Sequence, residues 1–225
     1  PFTAGGVIGL YYNKMMNKLE ASEVEKNKWR KRISREIDLA VKVQENFIPK
    51  RNLANYPLKG INIPAREVSG DFFSFYPHNE LIYFIIADVA GKGIHAGMVM
   101  AKASTLFEVL AQDKVDLDEM AFYMNNDLFN TKTAGMFVTG IVGKYDIISE
   151  EVSWVNAGHQ PAFIRDSKGF FKDFESKSPP LGVVKQKNKL TYFLNKEKLN
   201  GKRFYAFTDG LSESLNLNLE ELGIE

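Results

Sequence analysis

Short apolar runs joined by short turns constrain the fold of this chain more than any other feature. Runs rich in Val, Ile, Phe and Tyr predict six strands, at 81–87, 136–145, 152–156, 162–165, 190–194 and 203–207. Two helices are predicted together between the first and second of these strands, over 94–112 and 117–130. Because the later strands follow one another through turns such as 166–169, we expect an α+β domain with helices packed outside a mainly antiparallel sheet system.

A long helix is predicted before the first strand, since residues 17–48 contain neither glycine nor proline and Pro49 follows. Its first half is rich in charge, and apolar residues such as Trp29, Ile33 and Ile37 recur at helical spacing in its second half. We therefore expect a helical linker over 17–49 that docks by its second half on a domain spanning 50–225. An ordinary first helix of the domain and a coiled-coil signalling linker that supports a homodimer are both compatible with this pattern.

Residues 1–16 are predicted to form a separate terminal segment. Residues 1–12 are apolar and are followed by Lys14 and Lys18, which is typical of the cytoplasmic end of a membrane helix. A span needs about 20 apolar residues, so a loose terminus is the alternative interpretation. Because the chain begins at Pro1, we expect it to be a fragment or a processed product.

Charge and cysteine content exclude several functions. Lys plus Arg number 29 against 28 Asp plus Glu, so the chain has no overall field that would recruit nucleic acid or an acidic membrane. The lysines of 185–189 lack interleaved aromatic residues and predict a solvated loop. The chain has no cysteine, which excludes disulfides, cysteine nucleophiles and thiolate zinc sites and is compatible with a cytoplasmic location.

Three aspartates, each close to the end of an apolar run and beside a glycine or small residue, predict a metal site. Asp71 follows Gly70, Asp88 ends the run 84–88, and Asp209 lies between the run 205–208 and Gly210. Carboxylate oxygens suit Mg²⁺ and Mn²⁺, and glycine allows a ligand or a carbonyl to come close. If the three converge on two ions, a water between the ions becomes a hydroxide near neutral pH and can attack phosphorus in line. A turn residue or a helix cap is the alternative for any one of them taken alone.

The segment 91–96 offers a different interpretation, because it matches the G-x-G-x-x-G/A fingerprint of dinucleotide-binding enzymes after a buried strand. The segment after the next helix is predicted to be another helix, so the strand that should present an acidic residue to the ribose is missing. His159 is expected to be a hydrogen-bonded turn residue, and His95 and His78 a helix cap or exposed residues.

Taken together, seven segments resemble the metal-dependent serine/threonine protein phosphatases of the protein phosphatase 2C (PPM) family, in its bacterial SpoIIE/RsbU-like branch. The resemblance extends along most of the chain, and the order and spacing of the segments make it specific. The segments are QENFIP at 44–49, PAREVSGD at 64–71, DVAGKGIHA at 88–96, MFVT at 136–139, NAGHQP at 156–161, PLG at 180–182 and TDGLSE at 208–213.

The resemblance implies a central antiparallel β-sandwich flanked by helices and a site for two Mn²⁺ or Mg²⁺ ions. It implies that Asp88 bridges the ions, that Asp71 and the carbonyl of Val89 complete one site, that Asp209 holds the other, and that Arg66 binds phosphate. Ser74 stands where the family commonly has an aspartate, which we expect to alter the polarity around the ligands. The family's terminal Asp-Asp strand has no counterpart before Glu225, so we expect an incomplete C-terminus and weak or no activity.

The expected function is therefore hydrolysis of phosphoserine or phosphothreonine on a partner protein by a metal-activated water. The resemblance implies a partner such as an anti-sigma-factor antagonist, with control by an upstream sensor or membrane region through the entry helix. A catalytically inactive regulatory or dimerisation module is the alternative, and a dinucleotide-binding enzyme is a more remote one.

Overall fold

The computed structural model describes residues 4–47, 49, 56–63, 68–131, 135–188, 191–214, 216 and 223. The chain divides into two compact units, Pro1–Lys42 and Val43–Glu225. The first unit consists of helix α1 (Ala4–Gln44) except for the last two residues of that helix, which belong to the second unit.

Helix α1 begins at Ala4, well before the predicted start at residue 17. Glycines 5, 6 and 9 lower helix propensity, but they keep the backbone N–H that proline would remove, so they do not stop the helix. Large apolar side chains along it are exposed, and they include Tyr12, Met15, Leu19, Trp29 and Ile33.

The second unit contains two antiparallel sheets. The larger has the order β1-β2-β3-β4-β7, formed by Phe72–His78, Leu81–Val89, Val138–Asp146, Glu151–Ala157 and Leu194–Lys198. The smaller has the order β6-β5-β8, formed by Phe171–Phe174, Ala162–Arg165 and Arg203–Tyr205. Helices α2 (Ile94–Gln112) and α3 (Leu117–Asn130) lie between β2 and β3 in sequence, and α4 (Asp209–Ser212) follows β8.

The two faces of the larger sheet bury different cores. One face packs on α2 and α3, with Phe107, Met100 and Met124 fully buried. The other face meets the smaller sheet around Trp154, whose ring lies 5.0 Å from that of Phe174 and 5.1 Å from that of Phe204. The structure therefore confirms the predicted α+β fold, an antiparallel sandwich with an outer helix layer and a long N-terminal helix.

The strand predictions were correct in the centre and, apart from β8, wrong at the edges. β1 and β6 were not predicted, and the strand expected at 190–194 begins instead at Leu194. All three are edge strands. β6 and β7 are largely exposed and rich in charge, which weakens their apolar signal, whereas β1 was missed although Phe72 and Phe75 are buried. Pro77 within β1 is tolerated there, since an edge position does not require its missing N–H.

Within the part of the chain that the structure describes, one helix, α2, is long and apolar enough to cross a membrane. Seven of its residues are buried against the sheet and α3, among them Ala96, Ala103 and Phe107, which explains its apolar composition.

Candidate metal centre

The structure brings the three predicted aspartates together. Asp71 lies directly before β1, Asp88 is the penultimate residue of β2, and Asp209 is the first residue of α4. One carboxylate oxygen from each lies within 4.8 Å of the other two. All three side chains are partly buried, so a ligand can reach the cluster from solvent.

The strand register explains this convergence. Phe72 pairs with Ala87, so the start of β1 lies beside the end of β2 and places Asp71 next to Asp88. Asp88 lies on the same face of β2 as Phe84 and Ile86, the face that meets the smaller sheet. Asp209 comes shortly after β8 of that sheet, and the site therefore forms at one end of the sandwich, between the two sheets.

The backbone beside Asp71 is closely packed against Val89 and Asp88. A Cβ atom added to Gly70 would lie 3.0 Å from the carbonyl oxygen of Val89 and 3.3 Å from Oδ1 of Asp88. The hydroxyl of Thr208 donates a 2.7 Å hydrogen bond to Oδ2 of Asp71. A side chain at position 70 would therefore crowd the Val89 carbonyl and the Asp88 carboxylate, which favours glycine beside them.

The electrostatics of the cluster favour a cation. Burial raises the pKa of Asp88 from 3.8 to about 7, and its hydrogen bond with Asp71 and the charges of Asp71 and Asp209 act in the same direction. Three crowded carboxylates repel one another unless a proton or a cation is shared between them. All the donors are oxygens, which Mg²⁺ and Mn²⁺ prefer, so the residues present fit such ions.

The structure describes one of two further residues that the sequence singled out, Ser74, and not the other, Arg66. Arg66, the predicted phosphate ligand, lies outside the described residues. Ser74 is buried, and its hydroxyl donates a 3.3 Å hydrogen bond to Glu108 of α2. Ser74 therefore binds within the layer between sheet and helix, which places its polarity away from the carboxylates.

The structure also places Thr139 and His159 beside the aspartates. Thr139 is the register partner of Asp88 on β3, and its hydroxyl lies 3.0 Å from Nδ1 of His159. The His159 backbone N–H donates to the side chain of Asn156 at 2.9 Å, which confirms the predicted hydrogen-bonded turn. Sequence reasoning did not predict that this turn lies beside the three aspartates. The segments that contain Thr139 and His159, 136–139 and 156–161, are two of those that resemble the phosphatase family, and this resemblance could have indicated their position.

The imidazole of His159 is neutral at pH 7. Burial lowers its pKa to about 4, although the charge of Asp71 opposes this shift. Its Nε2 atom is buried and has no hydrogen-bond partner among the residues described. The ring therefore acts as a fixed polar neighbour of Thr139 rather than as a cation near neutral pH.

The arrangement of strands excludes the interpretation of 91–96 as a dinucleotide-binding loop. β2 is antiparallel to both of its neighbours, and α2 is followed by α3 rather than by a parallel strand. The glycines at 91 and 93 form the turn between Asp88 and α2. His95 is exposed at the start of α2, and the loop that carries Lys185 is solvated, as expected.

Comparison with known families places the match over most of the second unit. The family profile of stage II sporulation protein E (SpoIIE) matches residues 79–225. Among curated relatives, phosphoserine phosphatase RsbU of Bacillus subtilis is 28% identical over 186 residues, which cover 80% of this chain and 54% of RsbU. The chain spans about half the length of the curated relatives it matches.

Solved structures support the fold. The SiaA-PP2C domain of Pseudomonas aeruginosa superimposes with a TM-score of 0.71 at 18% identity, over 86% of this chain and 79% of that one. A structure of RsbX in complex with magnesium gives a TM-score of 0.55 at 20% identity, over 67% of this chain and 71% of that one. At these identities the likeness establishes the fold alone.

Proposed function

Because this chain belongs to the SpoIIE family, we propose that it is a metal-dependent protein phosphatase that removes phosphate from serine or threonine of a partner protein in bacterial signalling. One observation carries the proposal. The carboxylates of Asp71, Asp88 and Asp209 present oxygens within 4.8 Å of one another at an accessible end of the sandwich. RsbU, a phosphoserine phosphatase by name, is related to this chain over 80% of its length.

We propose that two ions, Mn²⁺ or Mg²⁺, are held by these residues. Asp88 is the candidate for the shared ligand, because both Asp71 and Asp209 act on its carboxyl group. Asp71 and the Val89 carbonyl would complete one site, and Asp209 would contribute to the other. When bound, such ions activate a water for attack on phosphorus and neutralise the charge of the phosphoryl group.

Neighbouring side chains orient the proposed ligands. Thr208 orients the carboxylate of Asp71 by its hydrogen bond. Thr139 lies opposite Asp88 on β3, and its hydroxyl forms a hydrogen bond with Nδ1 of His159. The chain has no cysteine, so a phosphocysteine intermediate is excluded. Because the three aspartates are assigned to the ions, we propose direct attack by a metal-activated water.

The proposed substrate is a phosphoprotein, such as a phosphorylated anti-sigma-factor antagonist, and the proposed location is the cytoplasm. A phosphorylated side chain must enter the open end of the sandwich where the partly buried aspartates lie. We propose that Arg66 helps to bind the phosphate, since a guanidinium matches a phosphate dianion. The absence of cysteine is compatible with a reducing compartment.

We also propose that α1 pairs with α1 of a second copy and carries a signal from an upstream region. Exposed apolar residues recur along it at spacings of three and four, at Tyr12, Met15 and Leu19 and again at Trp29 and Ile33. Such a stripe is stabilised when a partner helix covers it. Sedimentation equilibrium tests this proposal: a dimer that Ile33→Lys dissociates is expected, and a monomer at high concentration would contradict it.

The function is tested by measuring phosphate release from phosphoserine, phosphothreonine and phosphotyrosine peptides with Mn²⁺ and with EDTA. We expect weak release from the first two peptides, in line with the low activity expected from the sequence, and we expect EDTA to abolish it. If the folded chain binds Mn²⁺ but releases no phosphate from any peptide, the phosphatase proposal fails and a regulatory module takes its place. Release that is insensitive to EDTA would contradict the metal chemistry.

A further inference from the structure

The side chain of Gln44, the last residue of α1, makes a paired contact with the backbone of Ser69. Its Nε2 donates to the Ser69 carbonyl oxygen at 2.5 Å, and the Ser69 N–H donates to its Oε1 at 3.1 Å. A primary amide is the side-chain group that can donate and accept side by side in this way. A single side chain thus satisfies both backbone groups of one residue in a segment without regular structure.

Ser69 is in turn bonded to Asp71, one of the three aspartates of the candidate metal centre. The backbone N–H of Asp71 donates to the hydroxyl oxygen of Ser69 at 3.1 Å. Between them, Gly70 packs against the Val89 carbonyl and the Asp88 carboxylate, as described above. A shift of Ser69 therefore moves the backbone that carries one metal ligand and packs on two others.

Asp71 needs such support because it lies outside regular structure. The ladder between β1 and β2 begins at Phe72, one residue after it. Asp88, in contrast, lies within that sheet opposite Thr139, and Asp209 opens a helix. The backbone contacts of Asp71 come from side chains, those of Ser69 at its N–H and of Asn62 at its carbonyl, the latter at 3.3 Å.

Helix α2 leaves space for the Gln44 side chain. A Cβ atom on Gly97 would lie 3.3 Å from Nε2 of Gln44 and in collision with Cγ1 of Val68. The turn after α1 is also attached to α2, since Ser104 donates to the Phe47 carbonyl at 3.4 Å. The position of Gln44 is thus fixed by packing and by hydrogen bonds together.

We propose that Gln44 is a positioning residue for the metal centre, which holds Ser69 so that Asp71 is in place to bind a cation. The inference rests on the proposed metal-dependent function and adds to it a residue outside the ligand set. Because Gln44 ends α1, displacement of the last turn of α1 would release Ser69 and weaken the metal site.

The test compares Mn²⁺ binding by isothermal titration calorimetry in the unaltered chain, Gln44→Met and Ser69→Ala. Methionine keeps the volume of glutamine and removes both hydrogen bonds, and alanine removes only the hydroxyl that holds Asp71. Groups that orient metal ligands typically contribute about 10- to 100-fold in affinity, so we expect Gln44→Met to bind Mn²⁺ at least about tenfold more weakly. Glu45→Gln, at the exposed neighbouring position, is the control and should bind as the unaltered chain does.

Two further readouts separate positioning from a general loss of structure. The rate at saturating Mn²⁺ should recover in Gln44→Met, while the Mn²⁺ concentration for half-maximal rate rises. The double variant Gln44→Met/Ser69→Ala should lose little more affinity than the weaker-binding single variant, because both act on one line of contacts. If Gln44→Met does not fold, Gln44→Glu, which keeps the size and loses the donor, takes its place.

The outcomes distinguish this inference from the function on which it rests. Unchanged Mn²⁺ affinity in Gln44→Met, or additive losses in the double variant, would overturn the role of Gln44 and leave the metal site intact. Absence of Mn²⁺ binding in the unaltered chain would overturn both.

Discussion

Thr208 and Asp71, 137 residues apart in sequence, are joined by a 2.7 Å hydrogen bond from the hydroxyl to the carboxylate Oδ2. The bond links the segment after β8 to the residue before β1, and so connects the two sheets at the metal centre. It holds the carboxylate of Asp71 in place beside those of Asp88 and Asp209.

We expect Thr208→Val to weaken Mn²⁺ binding by about tenfold, because valine has the shape of threonine without the donor. Thr208→Ser keeps the hydroxyl and should bind Mn²⁺ within about threefold of the unaltered chain, which at 1.4 kcal/mol per factor of ten is a change below about 0.7 kcal/mol. The measurement is the Mn²⁺ concentration that gives half-maximal phosphate release. Equal values for the serine and valine variants would show that the hydrogen bond does not orient the ligand.

Asp88 should make the metal-free protein less stable as the pH rises. Its folded pKa of about 7 is above the ordinary value of 3.8, so its contribution to stability is complete below pH 3.8 and is lost as the pH rises through 7. In EDTA at pH 8, Asp88→Asn should therefore raise the free energy of unfolding by about 2 kcal/mol, a value reduced from the full shift because solvent screens this partly exposed group.

Urea unfolding in EDTA at pH 5 and at pH 8 measures this effect. The advantage of Asp88→Asn should be larger at pH 8 than at pH 5, and Mn²⁺ should remove it by stabilising the unaltered chain. A difference that does not change with pH would mean that the carboxylates do not repel one another in the folded protein.

His159 should give the opposite dependence on pH. Its folded pKa of about 4 is below the ordinary value of 6.5, so the folded state resists protonation and loses stability as the pH falls from 6.5 towards 4. His159→Gln cannot titrate, and between pH 7 and pH 4.5 it should lose about 2 kcal/mol less stability than the unaltered chain does. Matched urea titrations of the two proteins check this, and parallel pH profiles would show that His159 is not held neutral by burial.

Trp154 should be the largest single contributor to the contact between the two sheets. It is fully buried and touches the rings of Phe174 and Phe204, which belong to the smaller sheet. Trp154→Ala should lower the free energy of unfolding by about 3–5 kcal/mol, as large-to-small changes in a core do. Phe170→Ala, at a side chain that is 72% exposed, is the control and should cost less than about 0.5 kcal/mol. Similar losses from the two variants, measured by urea unfolding, would contradict this packing.

The sequence predicts the interior of this fold better than its borders. β2, β3 and β4 were recognised because Ile85, Ile141 and Val155 belong to runs that are buried on both faces. β6 and β7 were missed or displaced because residues such as Lys172 and Lys196 face solvent at the sheet edges. Apolar periodicity reports burial, and β6 and β7 bury too little for the pattern to show.

The candidate site was also predicted only in part. The three aspartates were predicted because each follows apolar residues beside a glycine or small residue, and the register then brings two of them together. The bonds of Thr208 to Asp71 and of Gln44 to Ser69 were not predicted. Each joins residues far apart in sequence, and a hydrogen bond made by a single side chain leaves no periodic signal along the chain.

The most direct test of the central claim is the rate of phosphate release from a phosphoserine peptide as a function of Mn²⁺ concentration, for the unaltered chain, Asp88→Asn and Asp173→Asn. Asp173 is exposed on β6, so Asp173→Asn removes the same charge as Asp88→Asn but at a position outside the aspartate cluster. We predict weak but measurable Mn²⁺-dependent release by the unaltered chain and by Asp173→Asn, and a loss of at least about 100-fold in Asp88→Asn, in line with removal of a group that stabilises the transition state. Release by Asp88→Asn at the rate of the unaltered chain would contradict the account.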